Sequence, residues 1–315
     1  MAFKLKAGER MRLPAAFLKK FDRYDYVPPS IVRTPENILR SISDAREVLE
    51  RHSVKLRNGS SLDQLLSQSE REIRKRSGNP RRAMDLQYVI ALTGLIIGLA
   101  DEDGIKVLLE RMAKSEMDTT SEKPSQGKDA AWELSCLSSF KIGGIEARLA
   151  EPDIVIAFGY GDYGIACKKI YSENSVEKCV AKGVEQISGA QMQGLVALNI
   201  DELLIPARRM MYASDQDFLR AMLQGYTSEF IERHSSTLEK YARGGACDGY
   251  IVSASKVAWL VSTSDFSYTT VNIHVPIGDE TAASRLRIDA IARQSSSANG
   301  LEAWVAKVGG AAFGL

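Results

Sequence analysis

Apolar positions along the chain recur at helical spacing in the first third and then give way to short continuous or alternating runs. Pro28-Pro29 interrupts the chain early. Thr34-Pro35-Glu36 offers an N-cap with proline at the first helical position, which predicts a helix through Glu50. Ser60-Ser61 opens a second, in which Leu62, Leu65, Leu66 and Ile73 fall on one face. Residues 83–99 and 104–113 supply two more. From Lys114 to Lys128 the chain is polar and contains Pro124 and Gly127, the pattern of a linker and a domain boundary.

Beyond that segment the period changes. A short helix over Ala130–Phe140 precedes Gly143-Gly144 and three strand candidates, Ile145–Leu149, Asp153–Phe158 and Tyr163–Lys169. A helix from Ser172 to about Gly189 starts with a capping box, and Leu195–Ile200 reads as a buried strand. Helix is expected again over Asp215–Tyr241, strands over Tyr250–Ala254, Val257–Thr263 and Thr269–Val275, and helix in part over Glu280–Ser295. The expected organisation is a helical recognition or assembly domain over residues 1–113, a linker over 114–129, and an α/β (α+β) domain over 130–315.

Composition narrows the class only slightly. Of 315 residues, 26% are charged and 44% hydrophobic, and the net charge is +1. That is an ordinary soluble balance, unlike a protein that coats DNA non-specifically, yet compatible with one local basic groove. The four cysteines show no CxxC spacing, which argues against zinc fingers and a disulfide framework. With no long apolar run after Met1, a reducing cytoplasm is the expected setting. The apolar stretch from Tyr88 to Ala100 falls short of the roughly 20 residues a membrane span needs, so a buried helix is expected there and no membrane partner.

The chemistry concentrates between Pro152 and Lys169. Asp153 opens an apolar strand, Gly159-Tyr-Gly-Asp162 reverses the chain, and a second strand ends at Lys168-Lys169. In such a hairpin the start of one strand lies beside the end of the other, which brings Asp153 next to Lys168. Position 166 shares a face with Lys168, while Ile165 and Cys167 point the other way, into the core. A carboxylate at 166 together with Asp153 would hold a divalent cation, with the lysine beside an attacked phosphate. Taken singly, Asp153 is only a strand-opening residue after proline and the lysine pair only a solvated strand end. Their hairpin spacing is what favours a site.

Pro152-Asp153, the 166–168 tripeptide and the polar turn and helix that follow resemble the PD-(D/E)XK nuclease superfamily. The resemblance spans roughly residues 130–200. It implies a restriction-endonuclease-like core, a mixed central sheet flanked by helices. It also implies Mg²⁺- or Mn²⁺-dependent phosphodiester hydrolysis, with DNA as the expected substrate. Asp153 then corresponds to the principal metal ligand, Lys168 to the catalytic lysine, Glu133 to an accessory carboxylate on the preceding helix, the Cys167 carbonyl to a further ligand, and Gln186 to a glutamine beside the site. Ala166 departs from the pattern, which demands Asp or Glu. A methyl group cannot ligate a hard cation, so this chain is expected to bind metal weakly and to cut slowly or not at all. Because Asp153 and Lys168 are intact, replacement of a native glutamate is favoured over a natural pseudonuclease. The resemblance further suggests restriction or anti-phage defence, with a homodimer or a defence-system partner protein.

Other features carry less. Glu146 and Glu151 are nearby substitutes for the missing acid. Lys178, Lys182 and Gln186 form one polar helical stripe, read as solvated more readily than as facing a phosphate backbone. The three histidines, His52, His234 and His274, show no ligand spacing. Gly159–Gly164 lacks the following helix that a nucleotide-binding turn requires. Basic residues between Arg71 and Arg82 are read as solvated first and as a DNA or protein contact second. The rival to a nuclease is a non-catalytic module that grips nucleic acid or a partner protein.

Overall fold

The computed structural model describes residues 34–75, 79–158, 161–204, 210–243, 247–277 and 283–295. Pro28-Pro29, Arg76 and the turn residues Gly159 and Tyr160 lie outside them.

Four helices come first: α1 (Pro35–Arg51), α2 (Ser61–Lys75), α3 (Pro80–Gly98) and α4 (Ile105–Lys114). Their starts follow from capping chemistry. Thr34 Oγ1 accepts the Asn37 N–H at 3.3 Å, and Asn79 Oδ1 accepts the Arg81 N–H at 3.0 Å, each with proline at the first helical position. The apolar run from Tyr88 forms the inner face of α3, with Val89, Leu92 and Ile96 buried. Among the described residues no helix is long and apolar enough to cross a membrane.

Helix α5 (Gln126–Ile142) starts four residues earlier than its apolar pattern suggests. The Ser125 hydroxyl accepts the Gly127 and Lys128 N–H groups, and this cap extends the helix into the polar segment. The stretch between α4 and α5 is tied to the helices around it. Met117 is fully buried and its N–H donates to Ser61 Oγ at 2.7 Å, while Thr119 donates to Asp85 at 2.8 Å. One apolar core runs without a break from α1 to the strands that follow α5.

Those strands are β1 (Ala147–Ala150), β2 (Asp153–Phe158), β3 (Gly161–Lys169) and β4 (Gln193–Asn199), with α6 (Val176–Gly189) between the last two. After β4 come β5 (Met211–Ala213), α7 (Gln216–Arg233), α8 (Ser235–Ala242), β6 (Cys247–Leu260), β7 (Asp265–Pro276) and α9 (Ala283–Ser295). The sheet order is β1-β2-β3-β4-β6-β5, with β7 also paired to β6. β1, β2 and β3 form an antiparallel meander; β4 is parallel to β3, and β6 is parallel to β4. The expected class is therefore borne out: a helical N-terminal region precedes a mixed sheet flanked by helices.

Two expectations change in detail. The two strands expected over 250–263 are one long strand, β6, whose residues from Gly249 to Leu260 pair continuously with β7. The single helix expected over 215–241 breaks at His234, which closes α7 before α8 begins. The short β5 had no expectation attached to it.

Strand alternation gives the sheet two faces. Ile154, Ile156, Ile165 and Cys167 face the core formed with α1–α5, whereas Ala166, Val196 and Leu198 face the core formed with α6–α8. Two glycines set close approaches that matter for the site. A Cβ at Gly183 would lie 2.6 Å from Val196 Cγ1, so only glycine lets α6 rest this closely on β4. A Cβ at Gly164 would lie 2.9 Å from Pro152 Cδ, so β3 can pass tightly beside the residue preceding Asp153.

Candidate active site

The hairpin brings the start of β2 to the end of β3. Ile154 pairs with Ile165, which places Asp153 opposite Ala166 one step further along the same register. Asp153 Oδ2 accepts the Cys167 N–H at 2.7 Å and sits 3.2 Å from Lys168 Nζ. The Lys168 ammonium also donates to the Cys167 carbonyl at 2.9 Å. From α6, Gln186 Nε2 donates to the Pro152 carbonyl at 2.8 Å and reaches Asp153 Oδ1 at 3.4 Å. Gly183 one turn earlier makes this reach possible. Asp153, Lys168, Cys167 and Gln186 are thus brought together, and Ala166 presents a fully buried methyl group among them.

Glu133 arrives from α5 and is held by a residue the sequence reading did not single out. Arg111 in the last turn of α4 grips it at both oxygens, with Nη1–Oε2 at 3.0 Å and Nη2–Oε1 at 2.9 Å. Burial pushes the Glu133 carboxyl up to about 7, and the neighbouring Asp153 charge adds to the rise while Arg111 and Lys168 oppose it. Asp129, one helical turn before Glu133, was also missed. Burial raises its carboxyl, against the pull of Tyr171, Arg111, Lys169 and Lys168, and it accepts the Tyr171 hydroxyl at 2.9 Å. The i, i+4 spacing of Asp129 and Glu133 was the available signal, since it puts both on one face of α5. Arg111 gave no signal, because nothing in an amphipathic helix says which distant carboxylate its basic end will meet.

Glu146 and Glu151, the nearby substitutes for the missing acid, are exposed to solvent. Lys178 and Lys182 are exposed as well, so the α6 stripe is solvated except at Gln186. Of the basic residues between Arg71 and Arg82, Arg81 is engaged by Asp85 at 3.0 Å, Asp118 at 3.4 Å and Thr119 at 2.7 Å, and Arg82 by Gln68. His52 bonds the Ala100 carbonyl, His234 bonds Glu173, and burial holds the His274 imidazole down to about 4.

A divalent cation needs several unclaimed oxygens. Here Asp153 Oδ2 already accepts two N–H groups, the Cys167 carbonyl accepts Lys168, both Glu133 oxygens are taken by Arg111, and residue 166 has none to give. Among the described residues no group of three or more His, Cys, Asp or Glu could hold a metal ion. The residues present do not make a metal site. What they do make is a desolvated cation, Lys168, 18% exposed and set against one carboxylate at the mouth of a strand pair, a geometry that can meet one anionic oxygen.

Comparison with family models, with curated proteins and with solved structures gives no match.

Proposed function

We propose that this chain carries the fold and the site of a PD-(D/E)XK nuclease in a form that Ala166 keeps from cutting. The observation that carries the reading is the 3.2 Å pair of Asp153 and Lys168, with residue 166 facing Asp153 across the hairpin. Supporting it are the helix–strand–strand–strand–helix–strand order of α5 through β4, the parallel pairing of β3 with β4, and the contact of Gln186 with Asp153. Residues directly opposite on paired strands have Cβ atoms about 4.5–5.5 Å apart, so an acid at 166 would stand beside Asp153 and supply the second carboxylate that Mg²⁺ or Mn²⁺ requires. The protein with that acid hydrolyses phosphodiester bonds, with DNA the foremost substrate, and Lys168 stabilises charge on the attacked phosphate. Its setting is the reducing cytoplasm, in keeping with four free cysteines. Restriction or phage defence, in a homodimer or with a partner protein, is the role the class suggests.

The test is Ala166→Glu, with Ala166→Asp as the shorter alternative should the buried site reject the longer acid. Plasmid nicking in Mg²⁺ should rise at least ~100-fold over background, roughly 2.7 kcal/mol of barrier, and vanish when Lys168→Ala is added. The grip of Arg111 on Glu133 favours a second reading, a non-catalytic nucleic-acid or protein binder. No nicking by either well-folded variant, with salt-sensitive DNA binding by the unchanged chain, would select it. Absence of both would overturn the nuclease and the nucleic-acid binder and leave only a protein-binding role, which co-purification of a partner with the whole chain would test.

A further inference from the structure

Lys169, next in sequence to Lys168, lines a cavity of about 140 Å³ bounded by α3, α5, the turn after β4 and the β6–β7 ribbon. Cavities of that size can take in one benzene-sized ring. Helix α3 supplies Met84, Tyr88, Ala91 and Leu95, which recur at helical spacing and form one stripe. Trp132 from α5 and Tyr268 from β7 complete a largely aromatic wall. The Trp132 indole N–H is engaged by the Ala197 carbonyl at 3.3 Å, so this side chain offers the cavity its ring alone.

The polar side is matched within the protein. Lys128 lies 3.3 Å from Glu202 Oε1, and Lys169 lies 3.7 Å from the same oxygen and from Asp201 Oδ2. Lys169 also donates to Asn199 Oδ1 at 2.7 Å, and Asp201 Oδ1 accepts the Ser255 N–H at 2.6 Å. Lys256 lines this side as well and has an interaction of its own. Two polar atoms are left over. Both lysines address Glu202 through Oε1, and among the described residues Oε2 accepts no hydrogen bond. The Tyr88 hydroxyl makes none among them either. Burial, with Tyr268, Asp201 and Glu202 around it, pushes this phenol above its ordinary range, so it stays an O–H.

Ammonium and carboxylate groups share this recess, so an ionic guest of either sign meets like charge as well as unlike, and a neutral one avoids the repulsion. An open carboxylate oxygen takes a donor, and an aromatic wall without a filler leaves dispersion contacts unmade. We propose that this cavity binds an uncharged small molecule, an aromatic ring carrying an N–H or O–H donor. The ring lies against Tyr88, Trp132 and Tyr268, and the donor turns to Glu202 Oε2 and the Tyr88 hydroxyl. Aromatic amines and phenols share that chemistry: a phenol oxygen accepts the Tyr88 O–H, and the second N–H of an amine donates to the Tyr88 oxygen. The proposal is independent of the nuclease reading, because Asp153 and Lys168 do not line the cavity.

The experiment uses the whole chain at neutral pH, with aniline and phenol as the two donor-bearing rings, both uncharged there. Toluene keeps the body without the donor, benzylamine adds a positive charge and benzoate a negative one. At least one of aniline and phenol should raise Tm and give saturable heat in titration calorimetry at millimolar concentration or below, and which one does so identifies the head group. Toluene, benzylamine and benzoate should each bind at least about 10-fold more weakly. Tyr88→Phe removes a hydroxyl that bonds no described residue, so the unliganded Tm should hold while binding weakens at least about 3-fold. Ala91→Phe, which fills the cavity from α3, should abolish binding. The proposal fails if neither aniline nor phenol binds at 5 mM or if any of the three comparison rings comes within that 10-fold margin. It fails equally if Tyr88→Phe weakens binding by less than stated, or if binding survives Ala91→Phe.

Discussion

Lys168 and Lys169 are consecutive residues at the end of one strand, yet they live in unlike surroundings. Lys168 keeps 18% of its side chain exposed and meets a single carboxylate, Asp153, which has donors of its own from Cys167 and Gln186. Lys169 is 6% exposed and answers to Asn199, Asp201 and Glu202. The difference shows how strand alternation sorts two identical side chains into two jobs. One is a cation that its partner could do without; the other is a more buried cation shared by two partly buried carboxylates, Asp201 and Glu202.

Removing Lys169 should therefore have the largest effect. Lys169→Met removes the ammonium that Asp201 and Glu202 share, leaving Glu202 its ion pair with Lys128, and should cost about 3–5 kcal/mol in urea unfolding. The next effect appears in pH. Burial raises the Glu133 carboxyl above its unfolded value to about 7. The native state then holds a proton that the unfolded chain releases, so stability falls as pH rises from about 4.5 to 7. His274 acts in the opposite sense: its folded value of about 4 lies below the ordinary 6.5, so it adds stability as pH climbs between those values. Glu133→Gln should remove only the first contribution, and subtracting the two stability–pH profiles should show a difference of roughly 3 kcal/mol. A flat difference would mean that Arg111 keeps Glu133 charged throughout. Lys168→Met should cost about 1 kcal/mol, because Asp153 keeps its other hydrogen bonds. A loss as large as that of Lys169→Met would erase the distinction between the two lysines. Smallest is Gln186→Ala, at about 0.5–1 kcal/mol, and it should be smaller still in the Lys168→Met background if both serve Asp153.

How far the residues themselves announce this arrangement depends on the range of the interactions involved. The hairpin is local, and the alternation of Asp153–Phe158 and the placement of Asp153 beside Lys168 follow from a period of two and a short turn. The N-cap at Thr34 is equally local. By contrast, the polar character of residues 115–125 says nothing of Met117 docking under Ser61 or of Thr119 reaching Asp85, since those partners are more than 30 positions away. The hold of Arg111 on Glu133 and the cavity lined from α3, α5, β6 and β7 are likewise products of packing. The merged strand β6 was obscured by Ser255-Lys256, which read as a break because a polar pair in a strand is indistinguishable from a turn until a partner strand is present.

Helix α5 is a rigid connection between two places in the molecule. Within two turns it carries Lys128 and Trp132, which wall the cavity, and Asp129 and Glu133, which stand near Lys168. Its start is anchored twice at Ser125, by the cap itself and by the Tyr171 hydroxyl, which donates to the Ser125 carbonyl at 3.1 Å. A helix transmits displacement along its axis with little loss, so the two places share one beam. A displacement of α5 by a fraction of an ångström at Lys128 and Trp132 moves the Glu133–Arg111 grip by a similar amount. By reciprocity, whatever changes that grip retunes the cavity.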